Sequence, residues 1–153
     1  MKKLVLTLFA LLLLPGYAST EHENRDEPAA IGISWYSLEE AQQLAENSSK
    51  KVMIYMEASW CGYCKKMENE VFPQQDVQDM IHKYYYPVRL DIESGDEIVY
   101  NGDLFTEQEF ANTIRVTGTP TYLFIDGKGE ILGKQPGFLP ADVFKSLLSY
   151  VGT

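Results

Sequence analysis

Trp60-Cys61-Gly62-Tyr63-Cys64-Lys65 contains both cysteines of this 153-residue chain. If the segment after the first cysteine is helical, residues i and i+3 share a face, so the two sulfurs can close a disulfide across one turn. Cys61 would then stand at the helix N-terminus, where unpaired N–H groups and the positive end of the helix dipole favour a thiolate. Such a place brings a free-cysteine pKa of about 8.5 into the range of roughly 3.5 to 7.5. The thiolate is the species that attacks in thiol-disulfide exchange, so the spacing predicts redox chemistry with Cys61 attacking and Cys64 resolving.

Other uses of two cysteines fit this spacing less well. A staple across about 4 residues stabilises by only ~2 kcal/mol in the chain-entropy picture, against ~4.7 for a loop of about 100. A closed zinc site needs four ligands, and beyond the cysteines the chain offers His22, in a polar stretch, and His82. Attachment of a c-type haem needs a histidine directly after the second cysteine, where this chain has Lys65. No metal site and no bound cofactor are expected. The alternative of a different class is a binding module that uses the dithiol as a ligand pair, such as a copper-delivery or chaperone protein. Met53, Met56 and Met67 read as core filler rather than copper ligands, and His82 and Arg115 as surface or structural residues.

The N-terminus points to an oxidising compartment. Lys2 and Lys3 precede an apolar run from Leu4 to Leu14, and Pro15-Gly16-Tyr17-Ala18 follows with a break and small residues. That is the pattern of a cleavable secretory signal over residues 1–18. As a helix the run would reach only about 16 Å, short of a hydrocarbon core of about 30 Å. A periplasmic or secreted location is therefore expected. Residues 19–33 are polar at first and lack periodicity, which predicts a flexible segment, and 34–153 suit one domain with its own core. The net charge of −9 at pH 7 argues against nucleic acid as a partner.

The remainder alternates helix and strand signals. Ser37 with Glu40 forms a capping box ahead of a helix ending at Asn47-Ser48-Ser49. Lys51 to Met56 reads as a strand running into the cysteine motif. The helix from Cys61 should stop near Pro73, with Asp76 as N-cap of a further helix through Lys83. Pro87 to Ile92 is the next strand. Thr106 and Glu109 form a second capping box for a helix reaching about Arg115. Thr121 to Ile125 and Glu130 to Gly133 form a hairpin turned at Asp126-Gly127-Lys128-Gly129, and Ala141 to Val151 closes the chain as an amphipathic helix.

This order, with CxxC at a strand-to-helix junction and Val116-Thr117-Gly118-Thr119-Pro120 before the hairpin, resembles thioredoxin over roughly residues 34 to 151. Gly62-Tyr63 between the cysteines, and Thr119 before the proline, resemble the bacterial periplasmic disulfide isomerases. The short build, with Glu57 before the motif and Lys65-Lys66-Met67-Glu68 after it, is similar to single-domain exported thioredoxins of the SoxW type. The resemblance implies an α/β fold, a central mixed β-sheet flanked by helices. It also implies a cis bond before Pro120, which faces the cysteine pair, and a backbone at Thr119 free to pair with a substrate strand. Trp60, Gly62, Tyr63, Thr119 and Pro120 become candidate substrate-binding residues.

Thioredoxins keep a buried aspartate six residues before the first cysteine, and that position here is Tyr55. Glu57 lies on the same side of the strand by alternation, so it is a candidate proton acceptor, or else a glutamate at the strand's solvent end. The expected activity is that of an exported thiol-disulfide oxidoreductase, a reductase or isomerase rather than a strong oxidase. Its expected partners are protein disulfides and an upstream thiol-disulfide electron donor or acceptor, a membrane-bound one included, and the chain is expected to act as a monomer.

Overall fold

The computed structural model describes residues 32–153, so the leader at 1–18, His22 and nearly all of the 19–33 segment lie outside the described residues. The sheet order follows from strand chemistry at its centre. Strand β1 (Lys51–Glu57) is buried on both faces along Val52 to Met56, which suits its β-branched and long apolar side chains to a central position. It pairs in parallel with β2 (Tyr85–Asp91) and antiparallel with β5 (Thr121–Ile125), and β5 pairs antiparallel with β6 (Ile131–Pro136). The result is a mixed four-stranded sheet in the order β2-β1-β5-β6.

Alternation along β1 divides the core in two. Met53 and Tyr55 point to a cluster with Cys61, Cys64, Met67, Phe72, Phe144 and Leu148. Val52, Ile54 and Met56 point to the opposite cluster, built on Leu38, Ala41, Ala45 and Phe110. Helix α1 (Leu38–Glu46) and helix α4 (Glu107–Thr113) cover that second face. The first face is covered by α2 (Gly62–Lys66), α3 (Gln75–Tyr84) and α5 (Ala141–Gly152). Tyr85 ties the layers together, its hydroxyl donating to the Leu148 carbonyl at 2.7 Å. No helix among the described residues is long and apolar enough to cross a membrane.

Several boundaries differ from those read in the sequence. Helix α3 starts at Gln75 with Gln74 at the N-cap, so Asp76 is not the cap. Asp76 instead lies in the first turn, where its carboxylate accepts from the Val77 N–H at 3.0 Å and pairs with Lys145 of α5. Negative charge is favoured there by the helix dipole. Helix α4 stops at Thr113 rather than Arg115, because Arg115 takes a left-handed φ of 56°. The Thr106–Glu109 box that starts it has both reciprocal bonds.

Two features have no counterpart in the sequence reading. Between α2 and Pro73 the chain widens into a π turn, Met67–Val71, in which the Phe72 N–H reaches back five residues to the Met67 carbonyl. A small second sheet pairs β3 (Glu97–Tyr100) with β4 (Asp103–Thr106). Its turn residues Asn101 and Gly102 have φ of 54° and 86°, the left-handed pair that a two-residue hairpin requires.

Candidate active site

Strand β1 leaves the sheet at Glu57, and Ala58-Ser59-Trp60 bend the chain so that Cys61 becomes the N-cap of α2. The Cys61 N–H donates to the Ala58 carbonyl at 2.9 Å, which fixes the bend. The Cys64 N–H donates to the Cys61 sulfur at 3.0 Å, so this sulfur occupies the capping place usually taken by a side-chain oxygen. Cys61 and Cys64 are joined in a disulfide, with Cα atoms 5.2 Å apart.

The pair is closely enclosed: only 3% of the Cys61 surface is open, and Cys64 has none. The exposure is carried instead by its neighbours Trp60 and Tyr63, at 62% and 63%. Tyr63 faces Phe138 at 5.9 Å between ring centres, and the Lys66 ammonium lies 4.6 Å over the Phe138 ring. A rim of aromatic surface with one cation therefore borders the disulfide.

The β1–β5 register pairs Met56 with Thr121. Pro120, the residue before β5, therefore enters the sheet beside the point where β1 departs for the cysteines. Its bond to Thr119 is cis. Pro120 is buried, and its carbonyl accepts from the Gly137 N–H at 2.7 Å. The Thr119 hydroxyl oxygen is buried and has no hydrogen-bond partner among the described residues. Trp60, Gly62, Tyr63, Thr119 and Pro120 thus gather at one end of the sheet.

Beneath the disulfide lies Tyr55, fully buried, with its hydroxyl donating to the Cys64 carbonyl at 3.3 Å. Its ring meets those of Phe72 and Tyr122 at 5.0 and 5.6 Å. Burial above all, then the charges of Glu68 and Glu57, push the Tyr55 phenol well above its ordinary value, while Arg89 works against them. This phenol stays protonated at any physiological pH.

Glu57 shares the Tyr55 face of β1 but does not stand free. Arg89 lies 2.6 Å from the Glu57 carboxylate and 2.7 Å from that of Glu68. Burial opposes the Arg89 charge, but the hydrogen bond to Glu57 and the two carboxylates outweigh it and hold the guanidinium more firmly protonated. Arg89, Phe138 and Tyr122 were not singled out in the sequence, and Glu68 was read only as part of the stretch that follows the cysteine motif. Alternation in β2 could have flagged Arg89, since it interrupts the apolar run Val88 to Leu90. Among the described residues, no three His, Cys, Asp or Glu side chains converge where a metal could sit.

Comparison with known proteins agrees with this geometry. The thioredoxin-like domain family matches residues 38–152. A thiol:disulfide interchange protein DsbD of Actinobacillus pleuropneumoniae is 33% identical over 116 residues, which are 74% of this chain but 18% of that protein. The chain thus spans about a fifth of the DsbD proteins it matches. A disulfide bond reductase DsbH of Chlamydia pneumoniae is 26% identical over 125 residues, covering 80% of this chain and 74% of that one. Among solved structures, a thioredoxin from Thermus thermophilus superposes with a TM-score of 0.64 at 28% identity, over 78% of this chain and 87% of the other.

Proposed function

The chain belongs to the thioredoxin-like domain family, and from that premise we propose that it is an exported thiol-disulfide oxidoreductase that reduces or isomerises protein disulfides. The observation that carries the reading is the Cys61–Cys64 disulfide at a strand-to-helix bend, with the Cys64 N–H already directed at the Cys61 sulfur. That N–H and the α2 terminus favour a thiolate at Cys61 once the bond is reduced. The Cys61 thiolate attacks a substrate disulfide, an S–S bond forms between Cys61 and one substrate sulfur, and the other leaves as a thiolate. Cys64 then loses its proton and attacks the Cys61 sulfur, which releases the second substrate thiolate and regenerates the internal disulfide. Two electrons from an upstream dithiol return the pair to the reduced state.

Trp60, Tyr63 and the Thr119–Pro120 loop form the surface on which an extended substrate segment docks. Glu57 is a candidate acceptor for the Cys64 proton, and it would take that proton while paired with Arg89. The reductive direction draws support from the DsbH relative, which is named a disulfide bond reductase. Export rests on the basic and apolar pattern of the sequence at residues 1–18, ahead of the segment 19–33 and the domain proposed at 34–153.

The test is reduction of insulin by dithiothreitol with the protein present, beside its equilibrium with glutathione. Turnover that Cys61→Ser abolishes, with a potential nearer the thioredoxin value of about −270 mV than the DsbA value of about −120 mV, is the expected result. No turnover, with stoichiometric Cu(I) held by the reduced pair, would replace this reading by a dithiol ligand module.

A further inference from the structure

Strand β2 directs a single cation, Arg89, at carboxylates from two other elements. Its Nη2 atom lies 2.6 Å from Glu57 at the end of β1 and 2.7 Å from Glu68 in the π turn, and its Nε–H donates to Glu57 at 2.8 Å. Both carboxylates are largely covered, with side chains 16% and 30% exposed, so solvent screens them incompletely. Two negative charges against one positive leave the group net negative. Tyr55, the Cα partner of Arg89 across the sheet, connects that group to the cysteines, because its hydroxyl donates to the Cys64 carbonyl.

We propose that Arg89 is a positioning residue for the dithiol: by clasping Glu57 and Glu68 beside Tyr55, it offsets the negative field that the two carboxylates impose on Cys61 and Cys64. This rests on the thiol-disulfide reading above. The other groups around Tyr55 do not do the same work. Strand β5 contributes Tyr122, whose buried hydroxyl is neutral and has no partner among the described residues. Helix α5 contributes the uncharged Phe144. On α2, Lys65 and Lys66 are exposed, and Lys66 is engaged by Glu70 at 3.9 Å and by Phe138. Arg89 is thus the cation that is bound to both carboxylates.

The sign follows from charge. Without Arg89 the group carries one more unit of negative charge, and a thiolate nearby is disfavoured. The experiment is the pH profile of Cys61 alkylation by iodoacetamide in the fully reduced chain, for the wild type, Arg89→Gln, Arg89→Lys and the double variant Arg89→Gln/Glu68→Gln. The midpoint in Arg89→Gln should move to higher pH, so that alkylation at neutral pH slows roughly three- to tenfold. The double variant restores the net charge and should return the midpoint to the wild-type value, and Arg89→Lys should leave it nearly unmoved. A folded Arg89→Gln with an unmoved midpoint, or a double variant that fails to restore it, overturns the proposal. If Arg89→Gln does not fold, Glu68→Gln alone decides: its midpoint must fall, and an unmoved one overturns the proposal. Insulin turnover is read in parallel. Its absence in the wild type would count against the oxidoreductase reading, whereas turnover with uniform alkylation profiles would count against the role of Arg89 alone.

Discussion

Cys61 and Cys64 differ in access and in what each does for the other: one sulfur accepts a backbone N–H at the start of α2, and the second residue, fully buried, supplies that N–H. Alkylation of the reduced protein near neutral pH should therefore modify Cys61 much faster than Cys64, as read by peptide mass spectrometry. Cys64→Ser should accumulate mixed disulfides with substrate that Cys61→Ser does not form, visible on non-reducing gels; equal labelling of the two thiols would contradict the division of roles. The proton released by Cys64 gives a second expectation at this scale. Glu57→Gln should slow release of the mixed disulfide in stopped-flow measurements while leaving attack by Cys61 nearly intact, and unchanged release rates across neutral pH would return Glu57 to a role in holding Arg89. The pairing of Cys61 with Cys64 and the cis bond before Pro120 were legible because they belong to short local motifs. The Arg89 cluster was not, since it joins three residues from separate elements whose meeting depends on strand order and on the π turn.

At the scale of elements, α4 is fastened to the end of β2 through Glu107, whose carboxylate accepts from the Asp91 N–H at 2.7 Å. Burial first, then the charges of Asp96, Asp91 and Glu57, raise this carboxyl above its ordinary range against the lowering effect of the Asp91 bond. An acid raised on folding contributes stability below its unfolded value of about 4.3 and loses it as pH rises through the folded value. Glu107→Gln keeps an oxygen for Asp91 and removes the charge. Its urea midpoint should exceed that of the wild type at neutral pH, and the gain should shrink as the pH falls toward about 4. The elements themselves were largely legible from the Ser37 and Thr106 caps and from strand-forming residues, although Ser37 accepts from the Glu40 N–H without the reciprocal bond that Thr106 and Glu109 share. The β3–β4 hairpin was missed although Asn101-Gly102 between apolar runs is a local signal for it. The π turn had no such signal, because its wide hydrogen bond is set by Met67, Val71 and Phe72 all finding the core at once.

Across the whole molecule, two apolar clusters on opposite faces of one sheet depend on close approaches between distant segments. Gly127, in the β5–β6 turn, passes so near the end of α1 that a Cβ would stand 2.5 Å from the Ala45 carbonyl oxygen and 3.0 Å from the Glu46 Cα, both backbone atoms. Gly127→Ala should lower the stability measured by chemical denaturation by about 1–3 kcal/mol. Gly133→Ala, where an added Cβ would meet nothing within 4 Å, serves as the control. The β6 edge has a different consequence. This outermost strand carries Lys134, ends at Pro136 and has a register shift opposite Phe124 and Ile125. Lysine, proline and an irregular ladder each make an outer strand a poor template for another chain. The outer boundary of the sheet is thus one that does not recruit an extended chain, and resistance to edge-to-edge joining is built into its last strand.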